Sequence, residues 1–191
     1  MKKAKRRRKR QDWRRHQIEN LTDEIKKCLN AELWYAGLVL TLMLPDICAA
    51  LEASDGQTSD ERYRAWYEKW LQHKYKEIGA ADVYYLRCGI AHQAKFSHRK
   101  MKYDRIFFTL KHPKGKYWSF PKVHKHRKIQ KKDRGESFST DLKRFCDDVI
   151  DSVDEWYAHK KNDSNVINNV SHLVQFYPHG LLDYLDLPAI G

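Results

Sequence analysis

A run of uncharged, mainly apolar residues from Leu33 to Leu44 most constrains how this chain can fold. The run is well short of the roughly 20 residues that a membrane-spanning helix needs, so it predicts a helix buried inside a protein. Apolar residues continue nearly all round the helix over about 31–53, as expected for a central helix covered by its neighbours. Pro45 is expected to kink or break this helix, because proline lacks the amide hydrogen that a helix interior uses.

Apolar residues at helical spacing predict further helices around the central one. Thr58 and Glu61 match a capping box that would begin one of them, and Gly79 would separate it from the next. The strongest amphipathic stripe lies near the end of the chain and is interpreted as core. The predicted helices cover about 17–30, from Thr58 to before Gly79, about 80–95 and about 139–160, with a short helix near 164–175.

A change of pattern near residue 98 predicts a small insertion in the bundle. Ile106–Leu110 and Tyr117–Phe120 resemble two strands, and the turn-forming sequence 112–115 lies between them, so a β-hairpin is expected. At 191 residues the chain suits one domain with a substantial core. The predicted fold class is all-α, a helical bundle with a small basic β-hairpin insertion. The expected parts are a disordered basic tail (1–16), the bundle (17–175, with the insertion at 98–136) and a C-terminal tail (176–191).

The net charge of +12 is concentrated in two places. Segments 1–16 and 111–134 each carry a net charge of +9, which leaves −6 for the rest of the chain. Lysine and arginine clusters bind nucleic-acid phosphates without regard to sequence, although many charged runs are only solvated surface. Aromatic residues in the second cluster would stack on unpaired bases or pack the hairpin onto the bundle. The candidate RNA-binding residues are Lys114, Lys116, Tyr117, Trp118, Lys122, Arg127 and Lys128.

The cysteines and the N-terminus suggest where the protein resides. The four cysteines are widely spaced, and none forms a C-x-x-C pair, which is typical of free thiols in a reducing cytoplasm. No cluster of metal-ligand residues is evident, so neither a metal nor another cofactor is predicted. The basic N-terminus is not followed by an apolar segment, which argues against a signal peptide, and no membrane association is expected.

The segment from Tyr84 to Gln93 carries the candidate chemistry. Arg87 and His92 lie in an otherwise apolar predicted helix, where a cationic group is costly unless it is paired or used. Histidine can move a proton near neutral pH and arginine can neutralise a phosphate, which together suffice for cutting RNA without a metal. Residues five apart point about 140° away from each other on a helix. They would converge if the arginine reaches round, if Gly89 loosens the helix, or if a second copy completes the site.

This segment, together with the apolar helix that contains residues 44–52, resembles the HEPN superfamily of small helical-bundle proteins, which includes many toxin and antiviral ribonucleases. The resemblance implies a homodimer in which two Arg-x4-6-His motifs form one RNA-cleaving cleft, with Arg87 and His92 as catalytic residues. The family often has a polar residue, commonly asparagine, directly after the arginine, whereas this chain has Cys88. Asp46 and Glu52 are candidate supporting residues that would orient His92, pair with Arg87, or form a plain buried ion pair.

The sequence therefore predicts a metal-independent endoribonuclease of toxin or defence type that acts on single-stranded RNA. Expected partners are RNA, a second copy of the chain, and an antitoxin or regulatory protein. Two other classes stay open: a non-catalytic RNA-binding or protein-interaction module, and a structural subunit whose basic segments neutralise an acidic partner. The intact Arg87–His92 pair favours the enzyme, and Cys88 favours the alternatives.

Overall fold

The computed structural model describes residues 13–110, 126–131, 134–177, 187, 189 and 190. Their fold is mainly helical, which confirms the predicted bundle at the level of a mainly α architecture. The helices are α1 (Trp13–Asn30), α2 (Trp34–Glu52), α3 (Asp60–Trp70), α4 (Ala80–Gln93), α5 (Leu142–Lys160) and α6 (Ser164–Asn169). The strands are β1 (Arg105–Thr109), β2 (His126–Lys131), β3 (Arg134–Asp141), β4 (Phe176–Tyr177) and β5 (Ala189–Ile190).

Helix α2 is the central helix that its composition predicts. It packs against α1, α3, α4, α5 and α6, and its inward residues, such as Leu38 and Leu42, are buried. By length and composition α2 is also long and apolar enough to cross a membrane, but half of its most apolar window is buried inside the protein. That burial is expected of the core helix of a soluble protein. Helix α2 continues through Pro45, so the predicted break does not occur.

The ends of the helices follow local side-chain chemistry. Helix α3 begins one residue later than the predicted capping box requires: Ser59 is the N-cap, and its hydroxyl accepts a hydrogen bond from the Arg62 amide. Thr58 instead donates to an Asp46 carboxylate oxygen at 3.2 Å. Helix α1 begins at Trp13, so the last residues of the predicted basic tail are helical, and residues 1–12 lie outside the described part.

The prediction of a hairpin was wrong about the strand that pairs with β1. Strand β1 forms, but it pairs in parallel with β3, with Arg105 opposite Ser137 and Thr109 opposite Asp141. The hairpin is formed instead by β2 and β3, which are antiparallel, and the strand order is β1-β3-β2. Residues 117–120, the predicted second strand, lie outside the described residues. The sheet rests on the bundle through buried Ile106 and Phe138.

The C-terminal part closes the other end of α2. Helix α6 and a 3-10 turn (Val170–His172) occupy the position of the predicted short helix. The Asn169 side-chain amide donates to the carbonyl oxygens of Leu51 and Ala53 at 3.1 and 2.8 Å, which satisfies acceptors that a helix end leaves open. In the predicted C-terminal tail, β4 and β5 pair antiparallel.

Candidate active site

Arg87 lies in the middle of α4 and is directed toward α2. Its guanidinium forms an ion pair with Asp46, and the two side chains are only 17% and 13% exposed. Burial by itself lowers the pKa of Arg87, but the hydrogen bond and the charge of Asp46 outweigh that effect and raise the pKa above its ordinary value. Asp46 therefore makes one of the contacts predicted for it, and it holds Arg87 charged and fixed between the two helices.

Aromatic rings complete the surroundings of this ion pair. The Arg87 guanidinium lies 5.7 Å from the centre of the Tyr63 ring and 5.2 Å from that of Tyr84. Such cation–π contacts add stabilisation to a partly desolvated arginine. The Cys88 thiol, half-buried, lies 3.7 Å from the Arg87 Nη1 atom and accepts a weak hydrogen bond. The proximity of Tyr63 could not be predicted from the sequence, since it depends on how α3 packs on α4. Tyr84 precedes Arg87 by three residues on the same helix, and this spacing was a signal that could have identified it.

His92 lies in the last turn of α4, is exposed, and sits apart from Arg87. Within the described part of the chain, no hydrogen bond, ion pair or ring contact involves its imidazole. The five-residue separation places the two side chains about 140° apart around the helix, because α4 keeps its regular turns between them. One copy of the chain thus presents a fixed arginine on one flank of α4 and an accessible histidine on the other.

Gly89 serves a purpose other than the one predicted. It does not loosen α4; the chain after the helix crosses directly over it, and the Lys95 amide donates to the Gly89 carbonyl at 3.0 Å. A Cβ atom at this position would lie 2.9 Å from the carbonyl oxygens of both Lys95 and Ser97. Only glycine leaves room for this crossing. Ala94, which ends α4 with a φ of 51°, turns the chain back toward the helix.

Glu52 is not part of the Arg87–His92 region, and its predicted supporting role there is wrong. It lies at the far end of α2, where it accepts a hydrogen bond from Trp156 Nε1 at 2.6 Å and pairs with Lys160 at 2.5 Å. These contacts tie α2 to α5, because both partners are residues of α5. A shallow pocket between α2 and α3 is lined by Glu52 and several tryptophan and alanine side chains, and it contains neither Arg87 nor His92.

Two of the seven predicted RNA-binding residues fall within the part of the chain that the structure describes. Lys114, Lys116, Tyr117, Trp118 and Lys122 lie outside the described residues. Arg127 and Lys128 are in strand β2, opposite Ser139 and Phe138 of β3. These two residues therefore belong to the β2–β3 hairpin, which is not the hairpin that the sequence predicted.

Helix α2 exposes apolar side chains on one face. This outer face consists of Leu33, Ala36, Leu40 and Met43, all exposed, and Leu33, Leu40 and Met43 are 56%, 37% and 40% accessible. The residues are separated by three, four and three positions, which is the spacing of a helix–helix contact seam. The N-terminal end of α2, where this face begins, lies near the end of α4 that carries His92, because Tyr35 of α2 donates a hydrogen bond to the Ile90 carbonyl at 2.9 Å.

The described residues contain no group of three or more histidine, cysteine, aspartate or glutamate side chains that could hold a metal ion. All four cysteines are unpaired thiols. Comparisons with family models, curated proteins and solved structures returned no match for this chain. The functional argument therefore depends on the geometry described above.

Proposed function

We propose that this protein is a metal-independent endoribonuclease in which Arg87 and His92 act together across a homodimer. The observation that carries the proposal is an exposed histidine, without a side-chain bond to any described residue, on the same helix as an arginine that Asp46 keeps charged and rigid. Histidine is the side chain best suited to proton transfer at neutral pH, and a fixed guanidinium can stabilise the charge that develops on a phosphate. The HEPN-like motif is consistent with these roles and with a toxin or defence protein in the cytoplasm.

In the proposed reaction, the ribose 2′-oxygen attacks the adjacent phosphorus atom and the bond to the 5′-oxygen breaks. His92 accepts the proton of the 2′-hydroxyl, and a protonated His92 from the second copy donates a proton to the leaving oxygen. Arg87 stabilises the extra negative charge on the five-coordinate phosphorus. The products are a 2′,3′-cyclic phosphate and a 5′-hydroxyl, and the cycle needs no metal.

The dimer is proposed because Arg87 and His92 diverge within one chain. Its contact surface is the outer face of α2, and its occupant is a second copy of the same face. The face contains no charge, and its three-and-four spacing is self-complementary, so two copies can pack as a two-helix seam. Because Tyr35 ties this end of α2 to the last turn of α4, packing two outer faces would bring the two His92 residues toward one cleft.

The test is cleavage of labelled single-stranded RNA in excess EDTA, with wild type beside His92→Ala. Because His92 is exposed, the variant should keep its stability within about 0.5 kcal/mol of wild type while losing cleavage. Cyclic-phosphate ends would identify the reaction. An unfolded His92→Ala protein, or cleavage equal to wild type, would contradict the proposal.

A second candidate function is a non-catalytic RNA-binding module. The Arg87–Asp46 ion pair favours it, because a guanidinium already neutralised by a carboxylate is a weaker phosphate ligand. Retained RNA binding without cleavage of several RNAs would favour this alternative, with Cys88 as the first position to examine.

A further inference from the structure

The chain that follows α4 forms a strip of positive charge lying along that helix. This basic strip, residues 95–102, contains four lysine or arginine residues and no acid. The four are Lys95, Arg99, Lys100 and Lys102, and all are exposed. It is separate from the basic segments at 1–16 and 111–134.

The basic strip is held against α4 by three contacts along its length. At the C-terminal end, Lys95 and Ser97 cross Gly89. In the middle, the His98 ring stacks on the Tyr85 ring with a centroid distance of 4.9 Å and an interplanar angle of 3°. At the N-terminal end, the buried carboxylate of Asp82 accepts a hydrogen bond from the Lys102 amide at 2.6 Å.

These three contacts place the strip and His92 on the same side of α4. Asp82, Tyr85, Gly89 and His92 follow one another at intervals of three, four and three residues, which aligns them along one face of a helix. The strip therefore runs antiparallel to α4, starting beside His92 and reaching the first turn of the helix about 15 Å away. Arg87 lies on the opposite flank.

The charges of the strip have no ion-pair partner among the residues that the structure describes. Several other cations of the described chain do pair with carboxylates, as in Arg62–Asp55, Arg64–Asp60 and Lys143–Asp147. None of the four strip cations forms an ion pair with a described residue; Lys100 and Lys102 only lie over tyrosine rings, at 5.4 and 5.5 Å. A fixed backbone that presents several unpaired cations is preorganised for a polyanion.

We propose that the basic strip binds the phosphate backbone of the RNA strand and guides it along α4 to His92. This inference rests on the proposed RNA function and adds the path of the strand. Single-stranded RNA fits better than a folded acidic protein, because the cations form a narrow line that ends beside the proposed proton-transfer group. Lys95, Arg99 and Lys100 carry the contacts, and Gly89 positions them.

The experiment compares three full-length proteins for binding to a labelled 2′-O-methyl oligouridylate, which cannot be cleaved by 2′-oxygen attack. The proteins are wild type, a strip variant (Lys95→Gln, Arg99→Gln, Lys100→Gln) and a control that removes the same charge from exposed lysines elsewhere (Lys69→Gln, Lys76→Gln, Lys161→Gln). Affinity is measured across a range of salt concentrations.

The strip variant should bind roughly tenfold or more weakly at moderate salt, and its slope of log affinity against log salt should be shallower by about 2, since each lost phosphate contact contributes about 0.7. The control should keep the wild-type slope. Equal losses of affinity in the two variants, or no loss in either, would contradict the proposed role of the basic strip but not RNA binding by the protein. Failure of the wild type to bind RNA would overturn the proposed function as well.

Two further measurements test whether the position of the strip matters as well as its charge, and whether the site prefers RNA to another polyanion. Gly89→Ala leaves the charge unchanged but forces Lys95 and Ser97 away from α4, so it should also weaken binding, provided that circular dichroism shows an intact fold. If a folded Gly89→Ala protein binds as wild type does, the positioning argument is wrong. Displacement of the RNA by polyglutamate at equal charge concentration would overturn the assignment to RNA.

Discussion

Removing the carboxylate that faces Arg87 should destabilise the protein substantially. In Asp46→Asn the guanidinium loses its counter-charge but stays in a site where its side chain is only 17% exposed. Breaking a fully buried ion pair by removing one partner costs about 3–5 kcal/mol. Because this pair retains some exposure, we expect a loss of about 2–3 kcal/mol in the free energy of unfolding. For a domain of this size, that corresponds to a fall of about 5–10 °C in Tm.

Urea unfolding followed by tryptophan fluorescence measures this loss, and an unchanged m value would show that the unfolded state is unaffected. Lys143→Gln is a matched control, because it breaks an ion pair whose side chains are 63% and 47% exposed. Exposed pairs contribute little, so the control should lose less than about 0.5 kcal/mol.

A double variant tests whether the cost arises from the uncompensated charge. Asp46→Leu combined with Arg87→Met replaces both charged groups by apolar ones. Its loss in the free energy of unfolding should be smaller, by at least about 1 kcal/mol, than the sum of the losses in Asp46→Leu alone and Arg87→Met alone. The reasoning is refuted if Asp46→Asn is as stable as Lys143→Gln, or if the two single effects simply add.

The remaining predictions concern association and the thiols. Leu40→Glu combined with Met43→Glu places two charges on the outer face of α2. Analytical ultracentrifugation should then show a monomer instead of a dimer, and cleavage should be lost while the circular dichroism spectrum is unchanged. A monomeric wild type would contradict the proposed seam. Burial raises the pKa of the Cys146 thiol to about 12, so the folded protein keeps that proton at a pH where the unfolded chain loses it. Stability should therefore fall as pH rises from about 9 toward 12, and Cys146→Ala should flatten that fall in urea titrations; an unchanged slope would exclude this thiol as a source. At pH 8, iodoacetamide should modify the half-buried Cys28 and Cys88 before the buried Cys48 and Cys146, as mass spectrometry would show.

Local pattern was sufficient to predict the helices of this protein. The stripe of α5 and the uncharged run of α2 each require a helix whatever their neighbours, since the period of apolar residues decides which side is buried. Small errors arose where two residues compete for one local role. Ser59 caps α3 because Thr58 bonds Asp46, and that preference depends on where α2 lies.

The sheet was harder to predict because strand pairing is not local. Strand β1 was identified from its strand-like sequence, but its parallel partner β3 begins more than twenty residues later and is rich in serine and charged residues. Nothing in the sequence of β1 distinguishes a parallel neighbour from a hairpin neighbour. Gly89 posed a similar problem, since its need for open space appears only once residues 95–97 fold back over it.

The sequence by itself determined the helical bundle, the central position of α2, and the presence of an arginine and a histidine in one apolar helix. Those features depend only on residue type and on the spacing of apolar residues along the chain. Only the tertiary structure decided that Arg87 pairs with Asp46, that Glu52 of α2 contacts α5, and that residues 95–102 lie along α4 beside His92. Each of these depends on contacts between residues distant in the chain, which packing of the whole core brings together.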